Sequence, residues 1–154
     1  MNTLSKALIT GAFFLALPMA AAAECPMVSV SGQQLTLNAE SVYAPQTMPI
    51  VAGGGLDLSQ CGSVPGNGYI VPESDFTVAY DALGMGRALE MRVNGTCDTV
   101  LLVNAADGQW HFSDDADGMN PRLRIENAPS GQYDVWVGTF GPETCDATIT
   151  FESF

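Results

Sequence analysis

The chain has 154 residues, with 17 acidic side chains against five lysines and arginines and a formal net charge of −12. Such a surface repels nucleic acid and anionic membrane, which excludes both as partners. The length suits a single domain with a sizeable core.

Residues 1–23 read as an export signal: Lys6, an apolar run from Ala7 to Ala20, then Ala21-Ala22-Ala23 as a small-residue cleavage site. The run is too short for a membrane span, and Glu24 rather than a cysteine follows, so no lipid attachment is expected. Cleavage after Ala23 would deliver residues 24–154 to the periplasm or the medium. It also removes Lys6, leaving Arg87, Arg92, Arg122 and Arg124 as fixed cations.

Four cysteines remain, Cys25, Cys61, Cys97 and Cys145, and an even count behind an export signal implies two disulfides. Three connectivities are possible. Cys25–Cys61 pairs the two cysteines of the N-terminal segment. Cys97–Cys145 joins the starts of two runs of matching form, CDTVLLV and CDATITF, as neighbouring strands would be joined. Zinc is the competing use, but there is no C-x-x-C pair and His111 is the single histidine.

Along the mature chain, residues 28–30 and 34–37 alternate like short strands around Ser31-Gly32. Residues 39–42 could begin a helical turn that Pro45 and Pro49 end. Residues 48–52 read as a strand, broken by Gly53-Gly54-Gly55, and residues 61–72 as a loop rich in glycine and proline. The signal sharpens at Asp75. Phe76, Val78 and Tyr80 share one face of a strand, and Leu89, Met91 and Val93 share one face of the next. Asn94-Gly95 predicts a two-residue hairpin turn, whose central positions need positive φ. Residues 99–103 are a continuous apolar run, expected to be a central strand. Ala106-Asp107-Gly108 turns into residues 109–112, and Leu123 and Ile125 alternate with polar neighbours. Pro129-Ser130-Gly131 turns into residues 132–140, and residues 147–151 close the chain. Eight or nine short strands at hairpin spacing predict an all-β antiparallel sandwich of jelly-roll type, held by disulfides. No sustained helical period appears.

Residues 97–141 resemble the bacterial pre-peptidase C-terminal domain family. The motifs are Asp98-Thr99-Val100-Leu101-Leu102-Val103, the turn Asp107-Gly108, the acidic pair Asp114-Asp115, the strand Leu123-Arg124-Ile125, and Gly131-Gln132-Tyr133-Asp134-Val135-Trp136-Val137. The resemblance covers residues 75–152, with residues 24–74 as an N-terminal segment packed on that unit. It implies a β-sandwich accessory domain of the kind appended to secreted peptidases, several of which bind Ca²⁺.

Asp114, Asp115 and Asp117 form an acidic loop whose oxygens suit a hard cation, Ca²⁺ before Mg²⁺. It resembles the first half of an EF-hand loop, but Arg124 falls where the closing glutamate belongs. Further oxygens must come from other loops, and the resemblance implies Asp98, Asn104 and Asp107. The alternative is a solvated acidic turn.

A serine triad would have to use His111, with Ser113 and Asp114 nearby, yet no G-x-S-x-G elbow occurs. No catalytic residue is assigned. Tyr133, Val135 and Val137 read as core, while Trp136 and Phe140 face either the exterior or the N-terminal segment. The sequence thus predicts an exported, non-catalytic binding or accessory domain, with a protein or polysaccharide as partner. A small secreted serine peptidase-like hydrolase and a structural envelope protein are the alternatives.

Overall fold

The computed structural model describes residues 25–154; the expected export segment lies outside the described residues. Within them, no helix is long and apolar enough to cross a membrane. The strands divide between two sheets, as the alternating patterns require.

One sheet holds β1 (Gln33–Asn38), β5 (Phe76–Asp81), β10 (Gly131–Thr139), β7 (Thr99–Asn104) and β8 (Trp110–Ser113), with the short β3 (Leu56–Asp57) and β4 (Tyr69–Ile70) continuing along the end of β10. The other runs β2 (Gln46–Ala52), β11 (Cys145–Ser153), β6 (Leu89–Gly95), β9 (Arg122–Ile125). Pairing is antiparallel except for β1, which lies parallel to β5 from Gln33↔Phe76 to Asn38↔Asp81. The all-β sandwich is therefore present, with one parallel edge pair that the sequence did not announce.

The core forms where the two alternating faces meet. Phe76, Val78, Tyr133, Val135 and Leu101 from the first sheet pack against Met91, Val93, Ile149 and Phe151 from the second. Phe76 and Phe151 meet edge-to-face across the sandwich, with ring centroids 6.2 Å apart. As expected, β7 is central: β10 and β8 flank it, and Thr99 to Val103 are all buried.

A second apolar cluster lies on the outer face of the first sheet. There Leu102 and Trp136 are covered by Leu56, Leu58, Cys61 and Ile70. Trp136 is wholly buried, with Trp110 tilted against it at 5.5 Å, so this face belongs to the N-terminal segment and not to solvent. Phe140, just beyond β10, is exposed. Both expected disulfides are formed, Cys25–Cys61 with Cα atoms 5.6 Å apart and Cys97–Cys145 at 6.2 Å. The first fastens the start of the described chain to the segment covering Trp136. The second ties the start of β11 to the link before β7.

Of three local expectations, two change and one holds. Residues 28–30 form a turn, closed by Val30 N donating to the Met27 carbonyl. The expected helical turn at residues 39–42 is present as a single turn, Val42 N donating to the Asn38 carbonyl at 3.1 Å while Asn38 Oδ1 accepts from Glu40 N and Ser41 N, and it does not continue into a helix. Asn94-Gly95 is not a hairpin turn. Both residues lie in β6, neither has positive φ, and β6 and β7 belong to different sheets. Here tertiary pairing overrides the local turn preference. Gly95 answers a different need: a Cβ there would sit 2.5 Å from the Thr99 methyl.

Candidate cation site at the acidic end of the sandwich

The chain crosses from β6 to β7 through Thr96, Cys97 and Asp98, at one end of the sandwich. Backbone and disulfide fix this link, since Cys97 is bonded to Cys145 and the Asp98 carbonyl accepts from Phe140 N at 3.0 Å. The β8–β9 loop, residues 114–121, folds back against it. Thr99 N donates to the Met119 carbonyl at 3.0 Å, and Gly95 N donates to Asn120 Oδ1 at 2.8 Å. Within the loop, Asp117 and Asn120 form a reciprocal backbone bridge around Gly118, whose φ of 64° suits a residue without a Cβ.

This folding-back brings Asp114 and Asp115 to Asp98, which precedes them by 16 and 17 residues along the chain, through β7 and β8. One carboxylate oxygen from each of the three lies within 4.8 Å of the others, so the group could hold a metal ion. Two of these carboxyls hold an oxygen that is enclosed without a hydrogen-bond partner, Asp98 Oδ1 and Asp114 Oδ1. Both carboxyls are pushed above the ordinary range, first by partial burial and then by the Asp115 charge; Asp98 adds to the effect on Asp114. Gathering like charges around enclosed oxygens is unfavourable unless a cation or protons arrive. The donor set, carboxylate oxygens only, suits a hard cation such as Ca²⁺.

The other expected ligands stand elsewhere. Asp117 faces Arg122, with Oδ2 3.5 Å from Nη2. Asn104 closes the opposite end of β7, roughly 20 Å away by strand rise. There its Nδ2 donates to the Gly108 carbonyl, while Asp107 Oδ1 accepts from Gln109 N. Both shape the β7–β8 turn, so the structure does not bring them to Asp98. The family pattern gives their order along the chain, and only strand length shows the distance.

His111 lies in β8, paired in register with Val103, and its Nε2 is enclosed without a partner. Ser113 Oγ accepts from Arg122 N at 3.0 Å, and Asp114 belongs to the acidic cluster.

No family model matches the chain, and no curated protein matches it. Among solved structures it is similar to the periplasmic inhibitor of g-type lysozyme PliG from Aeromonas hydrophila, at 13% identity and TM-score 0.41, over 80% of this chain and 100% of that one. It is also similar to the pre-peptidase C-terminal domain of a collagenase from Bacillus anthracis, at 12% identity and TM-score 0.45, over 81% of this chain and 96% of that one. The latter is the family that the motifs of residues 97–141 resemble. Identities this low and overlays this loose make no case for function, and the sandwich rests on its own strand pairing.

Proposed function

We propose that the protein is an exported, non-catalytic β-sandwich domain of binding or accessory type, stabilised by Ca²⁺ at its acidic end. One observation carries the cation: Asp98, Asp114 and Asp115 converge, and two of the three enclose an oxygen with no partner. Bound there, Ca²⁺ would supply charge neutralisation and oxygen coordination, and water or backbone carbonyls would complete its shell. It would also tie the β8–β9 loop to the link before β7, joining two connections that each cross between the sheets. Export to the periplasm or medium is supported by the signal pattern of residues 1–23 and by two disulfides, which persist in oxidising compartments.

Thermal unfolding of chelator-treated protein tests the cation. Because only the folded state gathers the ligands, Ca²⁺ at a hundredfold excess over Kd adds about 2.7 kcal/mol. That corresponds to a rise in Tm on the order of 5 °C or more. Asp115→Asn should abolish the rise, and Asp117→Asn, outside the cluster, should keep it. An unchanged Tm in millimolar Ca²⁺ refutes the cation reading.

A further inference from the structure

The outer face of the second sheet carries a cavity of about 460 Å³ beside the end of the β8–β9 loop, and Asp98, Asp114 and Asp115 are not among the residues that line it. Its floor is β6 and β11, with Arg92, Asn94, Thr148 and Thr150 projecting from alternate positions. Its wall is the end of the loop, where Asp117, Asn120 and Arg122 stand. The volume lies within the range of small-molecule sites, ~300–1,000 Å³. The lining differs from the usual apolar one, being made mainly of hydroxyls, amides, guanidinium groups and a carboxylate, with Val93 and Pro121 adding apolar surface. A ligand that fits must therefore offer many hydrogen-bonding groups.

The partners already made inside the cavity define what is left for a ligand. Arg92 is held by Glu152 at 2.6 Å and Glu90 at 3.1 Å, so its charge is balanced. Arg122 is different. Its nearest carboxylate oxygens are 3.5 Å away on Asp117 and 3.9 Å away on Glu90, both longer than a good charge-assisted bond, and 45% of its side chain is exposed. A donor fork and an acceptor carboxylate thus stand side by side at the mouth, neither engaged at short range. Asn120 spends its Oδ1 on the Gly95 N–H, which leaves its NH₂ to donate. The Thr47 and Thr150 hydroxyls bond to one another at 2.8 Å, and the Asn94 amide is exposed.

Alternating donors and acceptors of this kind match a sugar, whose neighbouring hydroxyls each donate and accept. An Arg122–Asp117 pair can take two adjacent hydroxyls at once, one accepting and one donating. Charge decides between sugar classes. The guanidinium groups face Glu90, Glu152 and Asp117, and the whole chain carries −12, so an acidic sugar meets repulsion. We propose that this cavity is a binding site for a neutral saccharide, oriented by Arg122 and Asp117 and seated on Asn94 and Thr148. The cavity is a different site from the acidic cluster, so the proposal stands whether or not Ca²⁺ binds.

Amide-resolved NMR titration tests it, with cellobiose, maltose and N,N′-diacetylchitobiose, each run once in chelator and once in Ca²⁺. Binding by at least one of these in either condition is expected, with shifts concentrated at Asn94, Thr148 and Arg122. Arg122→Gln should weaken that binding about tenfold, the effect of losing a charged hydrogen-bond donor. Thr148→Val, which replaces a hydroxyl by a methyl, should weaken it by a smaller factor and serves if the arginine variant fails to fold. Three results overturn the proposal: no shift at these amides with any of the three sugars in either condition, binding of digalacturonate without binding of the neutral sugars, or unchanged affinity in Thr148→Val together with a folded Arg122→Gln. Loss of the Ca²⁺ effect on Tm with saccharide binding intact would count against the cation alone.

Discussion

Asp75 offers a stability test that the structure makes quantitative. It lies just before β5, where that strand's pairing with β10 ends at Phe76↔Val135 and β4 resumes only at Tyr69↔Thr139. The N–H of Val137 falls in this gap. Asp75 Oδ2 accepts from it at 2.7 Å, so a carboxylate stands in for a missing strand. Burial pushes the Asp75 carboxyl up from 3.8 to about 6, and the Val137 N–H offsets only part of that. A shift of that size is at most about 3 kcal/mol of penalty on the ionised form. Because the folded pKa lies above the unfolded one, the folded state binds this proton first, and stability rises as pH falls from above 6 to below 4. Asp75→Asn keeps an acceptor for Val137 and removes the charge. Urea unfolding between pH 4 and 8 should show the variant more stable than wild type at pH 7 and above, by up to about 3 kcal/mol. The advantage should vanish near pH 4. A difference that stays constant across this range would refute the reasoning.

Trp136→Ala should destabilise the protein by about 3–5 kcal/mol, read as a fall in the urea midpoint, because it empties the centre of the second apolar cluster. Replacing Cys97 and Cys145 together by Ser should cost about 4 kcal/mol by chain entropy, since the bridge closes a separation of 48 residues. Asp98 and Asp114 protonate more readily than ordinary carboxyls, so protons compete early with a cation. The Ca²⁺-induced rise in Tm should shrink steadily from pH 7 to pH 4, and a rise independent of pH would exclude these carboxylates as ligands.

Parts of the fold were legible wherever burial repeats with the strand period. Phe76, Val78 and Tyr80 alternate because one face of β5 meets the core, and the continuous run of β7 reflects neighbours on both edges and apolar cover on both faces. The Cys97–Cys145 bridge was readable from the matching form of the runs behind each cysteine, although these open strands in different sheets rather than neighbouring ones. Trp136 was only half legible. Its cover comes from Leu56, Leu58 and Ile70, in segments too short and too irregular to show a period. Asn94-Gly95 misled because a dipeptide reports local turn preference, while the pairing of β6 with β11 is decided across the fold. The saccharide-sized cavity left a trace in the polar positions of β6 and β11, Arg92, Asn94, Thr148 and Thr150. An exposed strand face gives the same trace, so only the loop wall separates the two.

The distribution of the few cations explains why the acidic loop is divided in its behaviour. Arg92, Arg122 and Arg124 all project from the outer face of the second sheet, and each lies within 4 Å of Glu90, which is itself nearly buried. Arg87 is at the far end, over the ring of Tyr43. Residue 117 lies close enough to this group for Asp117 to meet Arg122, so its charge is compensated from within the chain. Asp98, Asp114 and Asp115 do not line the cavity, and none of the ion pairs among the described residues includes them. Their repulsion must be relieved by something other than an arginine. Protons do so at low pH, and a divalent cation would do so at neutral pH. The same loop therefore presents an arginine-balanced carboxylate to the cavity and uncompensated carboxylates to the sandwich end. This division follows from where β9 delivers its arginines, not from the loop's own acidic residues, since Asp114, Asp115 and Asp117 are nearly adjacent in sequence.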